Sequence, residues 1–407
     1  MYASFRFYRE REMSRKPPLD GIVVLSFEHA IAAPLCTRQL AELGARVIKI
    51  ERRETGDFAR NYDTRAKGQS SHFIWTNRSK ESLTLDIKHK HAPEILNRLL
   101  LRTDILVQNL APSAMDKLGL SYEKLKKQYD QLIVCNISGY GAEGPYKDRK
   151  AYDLLVQAES GFLSITGTEE NFVKSGISIA DIAAGMHAFS AILAAVIERG
   201  KSGKGSCIDI SMLEAMVEWM GFPLFYSYDG ASPPDRTGAD HASIYPYGVF
   251  QTGNSDTLMI GLQNEREWVK FCSKVLNEPG LAEDERFSTN TNRSMNRNKL
   301  KEIIQNIFSN KTTENLIGKL ESAGIAFANV NDMNEVWHHK QLTDLKRLVT
   351  TATPEGEMST FLPPTNNREF DPTLSSVPSL GEHSRKILDE LGFTDQEIDM
   401  FYDSQVV

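Results

Sequence analysis

The stretch from Gly21 to Ile50 restricts this chain more than any other. Gly21-Ile-Val-Val-Leu-Ser-Phe27 is a short apolar run with β-branched residues, the composition of a buried strand. Pro34 to Leu43 carries Leu35, Leu40 and Leu43 at near-helical spacing, and Gly44 ends it as a helix C-terminal glycine does. Arg46-Val-Ile-Lys-Ile50 reads as a second strand. Strand, helix and strand within roughly 30 residues form a βαβ unit, and that crossover requires parallel strands.

The alternation continues. An extended segment is expected at Ser82–Ile87, a helix at His91–Leu101, a strand at Asp104–Gln108, a helix at Tyr122–Tyr129 and a strand at Leu132–Ser138. Ile182, Met186, Phe189, Ile192 and Val196 predict a long helix over Ala180–Glu198, ended by the loop Lys201–Gly205. A strand at Cys207–Ile210 and a helix at Met212–Met220 follow. Together these make a doubly wound α/β layer. The turn after the first strand, Glu28-His-Ala-Ile-Ala32, lacks the G-x-G-x-x-G of dinucleotide sites, which disfavours a nicotinamide or flavin enzyme.

Residues 225–255 are rich in Tyr, Pro, Gly, Asp and Ser and read as a linker into a smaller α+β domain. A strand at Thr257–Gly261 and helices at Glu265–Leu276, Asn298–Phe308 and Thr313–Ala323 are expected there. From about Thr350 the chain is Pro- and Thr-rich, and it finishes with a helix at Ser384–Leu391 and a polar tail. The expected organisation is an N-terminal extension over 1–17 (with Met13 as an alternative start), a large domain over 18–224, linker and small domain over 225–330, and a return to the large domain over 331–407.

Composition narrows the function. With 47 basic and 54 acidic side chains in 407 residues the net charge is -7, which argues against a nucleic-acid partner. Four scattered cysteines, Cys36, Cys135, Cys207 and Cys272, form no metal or redox spacing and fit a reduced, cytoplasmic protein. The longest apolar run, near Phe189–Ile197, is well short of the roughly 20 residues that cross a bilayer, so no membrane partner is expected.

Single residues offer weak chemistry. Asp181 opens the long helix. Most such residues are caps or first-turn acids, yet a carboxylate held there can also attack an acyl group. Gly139-Tyr-Gly-Ala-Glu-Gly-Pro145 follows a strand, where α/β folds place ligands. His241, Tyr245 and Tyr247 put polar groups on a loop. No G-x-S-x-G elbow, H-E-x-x-H or P-loop occurs.

As an ordered set the motifs say more. They are Pro18–Leu25, Leu43–Arg52, Asn77-Arg-Ser-Lys-Glu-Ser-Leu-Thr-Leu-Asp86, Gln108–Pro112, Ile137-Ser-Gly-Tyr-Gly141, Tyr152-Asp153, Ile179-Ala-Asp-Ile-Ala-Ala-Gly185, Ser202–Gly205, Gly324–Val330 and Leu380-Gly-Glu-His383. This series resembles the class III CoA-transferases, the formyl-CoA transferase and CaiB/BaiF family. The resemblance implies a Rossmann-like large domain made from both chain ends, an inserted small domain, and a homodimer of interlocked rings. It implies acyl-CoA and carboxylate substrates, CoA thioester as substrate with no tightly bound cofactor, and no metal.

Asp181 corresponds to the catalytic carboxylate, which forms aspartyl anhydride and aspartyl-CoA thioester intermediates. CoA contacts carry over to His29, Ala30, Ala32, Arg52, Leu85, Lys88, Asn109, Lys117 and Lys150. Ile31, Tyr152, Asp153, His241 and Tyr245 are implied to lie near the reacting groups. Ile31 replaces a glutamine of formyl-CoA transferase, and His241-Ala-Ser-Ile-Tyr-Pro-Tyr247 is similar to relatives handling dicarboxylates, so a succinyl-CoA donor and a dicarboxylic acceptor are expected. The alternative is a 2-methylacyl-CoA racemase of the same fold. Those enzymes have a histidine where this chain has Tyr152.

Overall fold

A computed structural model describes residues 15–111 and 113–407. Most of the expected 1–17 extension, including Met13, lies outside the described residues. The chain divides into two compact units, one of residues 1–160, 176–219 and 344–407, the other of 161–175 and 220–343.

The first unit is built on β1 (Val23–Phe27), α1 (Ala32–Glu42), β2 (Arg46–Glu51), α2 (Ser71–Asn77), β3 (Lys80–Thr84), α3 (Ala92–Leu100), β4 (Ile105–Gln108) and β5 (Ile133–Ser138). It continues with α4 (Asp153–Glu159), α5 (Ile179–Ser202), β6 (Cys207–Ser211) and α6 (Met212–Trp219). Six strands form one parallel sheet in the order β3-β2-β1-β4-β5-β6. The first strand is therefore central, and winding reverses between β1 and β4. At such a switch point the loops leaving the two strands diverge and open a crevice at their carboxyl ends. The parallel sheet has both faces covered. Leu25, Phe27, Ile48, Leu83 and Leu106 pack with Ile95, Leu96 and Leu99 of α3 and with Ile387, Leu388 and Phe401 near the C-terminus. Fully burying each such side chain contributes about 1.5–3 kcal/mol.

The extended segment expected at Ser82–Ile87 starts and ends earlier, as β3. The helix expected at Ala180–Glu198 runs further, through 24 residues, and Gly203 at φ 71° stops it. By length and composition this helix could cross a membrane, and a helix packed inside a fold passes the same test. The buried residues of α5 are small except for Ile192, the others being Ala180, Ala183, Ala184, Gly185 and Ala188, and α1 packs against it. A β-carbon on Gly185 would stand 2.6 Å from the Ala32 carbonyl oxygen, so only glycine permits this approach.

In the second unit β7 (Tyr247–Gln251), β8 (Thr257–Gly261) and β9 (Ala326–Asn329) form an antiparallel sheet, with β8 in the middle. With α7 (Arg297–Phe308) and α8 (Thr313–Ala323) it encloses a core that includes Phe250, Trp268, Phe271, Ile304 and Leu320. β7 lies inside the expected linker. Segment 161–175, which the sequence reading keeps with the large domain, is tied to this unit by Arg236, whose guanidinium donates to the carbonyls of Ser164, Thr168 and Glu169.

The chain then returns to the first unit. The Pro- and Thr-rich segment holds a hairpin of β10 (Leu348–Thr353) and β11 (Gly356–Phe361). α9 (Ser384–Glu390) follows, and the expected polar tail is a helix, α10 (Asp395–Asp403), opened by a reciprocal capping box between Thr394 and Glu397. This return covers the β3 edge: the Ser82 amide donates to His383 Nδ1 (3.3 Å) and the Thr84 amide to Ser384 Oγ (3.1 Å).

Candidate active site

The crevice predicted by the strand order is present. A hollow of about 690 Å³ lies at the carboxyl ends of β1 to β4, lined by His29 after β1, Arg52 and its neighbours after β2, Leu85 and Lys88 after β3, and Leu110 and Ala111 after β4. Four of the expected CoA contacts, His29, Arg52, Leu85 and Lys88, thus line one cavity. Lys117 lines an adjoining hollow of about 760 Å³, which shares Ile87 and Lys88 with the first and adds Lys90, Lys124 and Lys127 over an apolar floor. Lys150 lines neither and is exposed.

His29 lines the first hollow, and the turn His29-Ala30-Ile31 leads from it into α1. Asn109 is committed to this turn: its Oδ1 accepts the His29 amide (3.0 Å) and its Nδ2 donates to the His29 carbonyl (2.9 Å). Ala30 sits at φ 63°, and its amide donates to Asp57 Oδ1 (3.1 Å). Ile31 and Ala32 are buried where α1 begins. Burial, opposed by Asp57, lowers the His29 pKa, which keeps the ring neutral near pH 7.

Behind the turn lies a cluster that sequence reasoning missed. Lys49 Nζ donates to Asp57 Oδ2 (2.7 Å) and Asn77 Oδ1 (3.0 Å). Lys80 Nζ donates to Glu28 Oε1 (2.6 Å), the Pro34 carbonyl and Asn77 Oδ1. Glu51 accepts the Asp57 amide, the Arg60 guanidinium and the Ser82 hydroxyl. Glu28, Lys49 and Lys80 expose none of their side chains. Burial raises the Glu51 pKa, yet Arg60 and Lys49 outweigh it and hold the carboxyl down at about 2. Burial lowers Lys80 to about 8 against the pull of Glu28. The signal was present in the sequence, since Lys49, Asn77 and Lys80 all fall within quoted motifs. Nothing in their spacing paired them.

Asp181 stands on the first turn of α5, partly buried, one turn before Gly185 and so on the face that approaches the start of α1. Asp153, at the start of α4, caps α5 from outside. Its Oδ1 accepts the amides of Ala180 (2.8 Å) and Asp181 (3.3 Å). Burial, then the negative charge of Asp153, raises the Asp181 pKa to about 7. Tyr62, also missed from sequence, is within electrostatic reach of Asp181, Asp57 and Tyr152. Its phenol is pushed up to about 12, first by burial and then by Asp57 and Asp181. It continues a row of rings, His29 to Phe58 at 4.7 Å and Phe58 to Tyr62 at 5.6 Å. Tyr152 is 67% exposed beside it in sequence to Asp153.

His241 and Tyr245 belong to the second unit. His241 Nδ1 accepts the amides of Ser243 and Ile244, and its ring stacks on Tyr247 at 5.3 Å. Tyr245 is fully buried in that unit's core, and its hydroxyl has no partner there. Among the described residues no three His, Cys, Asp or Glu side chains gather as a metal site requires.

Comparison with known proteins finds relatives along most of the chain. A family model described as CoA-transferase family III matches residues 19–384. The chain is 33% identical to succinyl-CoA:glutarate CoA-transferase of Mus musculus, over 92% of this chain and 86% of the relative. It is 32% identical to succinate–glutarate CoA-transferase of Agrobacterium fabrum, over 93% and 96%. A CaiB/BaiF family protein from Brucella suis superposes with a TM-score of 0.83 at 30% identity, covering 93% of this chain and 100% of that one.

Proposed function

Because the chain belongs to CoA-transferase family III, we propose that it moves CoA from succinyl-CoA to glutarate or a similar dicarboxylate, with Asp181 carrying the acyl group. The supporting observation is the state of Asp181, a carboxylate whose burial and like-charged neighbour raise its pKa to about 7. A carboxylate so placed exchanges readily between its neutral and ionised forms near neutral pH. It is also a better nucleophile than a solvated aspartate, because it lacks a full hydration shell. The names of the mouse and Agrobacterium relatives support the choice of acids.

In the proposed sequence Asp181 attacks the thioester carbonyl of succinyl-CoA. The carbon–sulfur bond breaks, CoA thiolate leaves, and a mixed anhydride remains. The thiolate attacks the Asp181 carbonyl carbon, which expels succinate and leaves an aspartyl-CoA thioester. Glutarate attacks that thioester and releases thiolate again. The thiolate then takes the glutaryl group and frees the Asp181 carboxylate. Every step exchanges one activated acyl group for another, so no ATP is consumed. Arg52 and Lys88 suit CoA phosphates, and the lysines of the adjoining hollow extend that positive wall. Exposed Trp219, Phe222, Leu224, Phe225 and Tyr226 support a homodimer that would cover them.

The test is incubation of succinyl-CoA with a panel of free acids, followed by mass spectrometry of the CoA esters. Glutaryl-CoA formed without ATP is expected from the wild type and not from Asp181→Ala, which still binds CoA. No new ester from any dicarboxylate, or full turnover by the variant, overturns the reading. Native mass spectrometry reads the dimer.

A further inference from the structure

The left-handed turn at Ala30 raises the question of what holds it. A residue with a β-carbon at φ 63° costs of order 1–2 kcal/mol relative to an extended or helical conformation. It persists only where its surroundings fix it. Asn109 grips the residue before, through both the amide and the carbonyl of His29. At Ala30 itself the amide goes to Asp57 Oδ1, and the other oxygen of that carboxylate receives Lys49 Nζ. Asp57 is 3% exposed and Lys49 0%.

Such an ion pair is a poor way to stabilise a fold. Apolar side chains of the same volume do as well or better, because two charges must be stripped of water. What the pair supplies is direction. A carboxylate whose one oxygen is locked by a buried ammonium presents the other at a fixed point. Here that point is the amide of a strained turn. The cluster is also electrically balanced, with Glu28, Glu51 and Asp57 against Lys49, Lys80 and Arg60. The Lys49 ammonium can therefore remain charged although it is fully buried.

We propose that Asp57, locked by Lys49, is a positioning residue that holds the His29-Ala30-Ile31 turn in the shape the thioester requires. The proposal rests on the reading of this turn as the CoA-contacting wall between the Arg52 hollow and the start of α1, where Asp181 approaches. Asp57 borders the hollow but is 3% exposed, and its two oxygens are taken by the Ala30 amide and Lys49. It acts through the backbone, so its loss should leave the nucleotide end of CoA bound while the reacting carbonyl is misplaced.

The experiment compares Asp57→Ala with Asp57→Asn in the full-length protein, by steady-state kinetics with succinyl-CoA and by hydrogen–deuterium exchange over residues 28–33. A misplacement near 1 Å costs about 10²-fold in rate, so Asp57→Ala should lower kcat by about that factor with KM for succinyl-CoA within about threefold. The Ala30 amide should exchange faster. Asp57→Asn, which keeps an oxygen for the Ala30 amide but turns an NH2 group towards Lys49, should fall between the wild type and Asp57→Ala in both readouts. Lys49→Gln, which leaves Asp57 unlocked, is the second variant should Asp57→Ala not fold, and should move both readouts the same way. Fast exchange with unchanged kcat would overturn the positioning role, and unchanged exchange would overturn the hold on the turn. A wild-type protein silent with every acyl-CoA would instead overturn the reading of the site, a failure the exchange arm separates from this one.

Discussion

Two sets of buried carboxylates lie in the first unit, and they have opposite fates. Glu28, Glu51 and Asp57 are each met by a cation, and their charges are matched within one cluster. Burial alone would raise Glu51, but Arg60 and Lys49 bring it down to about 2. Asp181 is less deeply buried, and among the described residues no cation offsets that burial. Its neighbour is a second acid, Asp153, and it rises to about 7. Desolvation is common to both sites, so the sign of the neighbouring charge decides the outcome. The matched cluster is fixed and inert. The unmatched pair keeps a carboxylate near its ionisation point, where it can be both charged and reactive.

The largest effect expected from breaking this contrast is at Asp181. Asp181→Asn should lower transfer at least about 10³-fold, measured with succinyl-CoA, since the amide cannot form the anhydride. The same variant should be more stable at pH 8. The folded pKa near 7 lies above the ordinary aspartate value, so the unfolded carboxylate ionises first. The stability this group contributes is full below pH 4 and is lost as pH rises through 7. Removing the buried charge should return about 2 kcal/mol in denaturant unfolding at pH 8, allowing for its partial exposure.

Lys49→Met attacks the matched side. It leaves Asp57 buried without its cation, while Glu28 keeps Lys80, and should cost about 3–5 kcal/mol of unfolding free energy. Asp153→Asn sharpens the unmatched side. It removes the like charge while keeping an oxygen for the α5 amides, so the rising limb of kcat/KM against pH should move down by roughly one unit. An unmoved limb would assign the raised pKa to burial alone. The smallest effect is at Thr37, whose hydroxyl donates to Glu28 Oε2 at 2.6 Å. Thr37→Val should cost about 1 kcal/mol, with the pH profile unchanged.

Much of the first unit was legible in sequence because its strands are short, apolar and separated by helical spacing. In the second unit too, Thr257–Gly261 and Thr313–Ala323 fall where the pattern places them, between clear breakers. Misreadings came where composition and local chemistry disagreed. Thr350 and Thr351 read only as the start of a Pro- and Thr-rich segment, with no strand expected, but are β-branched strand residues in β10. The last helix was hidden by its polarity, although Thr394 and Glu397 stand at capping-box spacing. At the site, Asp181 was legible only through its motif. Its raised pKa depends on Asp153, 28 residues away, and on burial by packing against α1. The Glu28–Lys80 contact spans 52 residues and Arg60–Glu51 joins a turn to a strand. No local period encodes such pairs.

The order of the sheet has a consequence for how the chain is made. β1 is synthesised first and is central. β2 and then β3 add on one side, and β4, β5 and β6 add in turn on the other. Each strand leaving the ribosome therefore meets a neighbour that already exists, and none must wait for a partner still to be translated. The exception is the free side of β3, whose amides at Ser82 and Thr84 are met only by His383 and Ser384, about 300 residues later. Until the last part of the chain is translated, that edge is open to foreign strands. The C-terminal return thus completes the fold and also removes its most exposed template for aggregation.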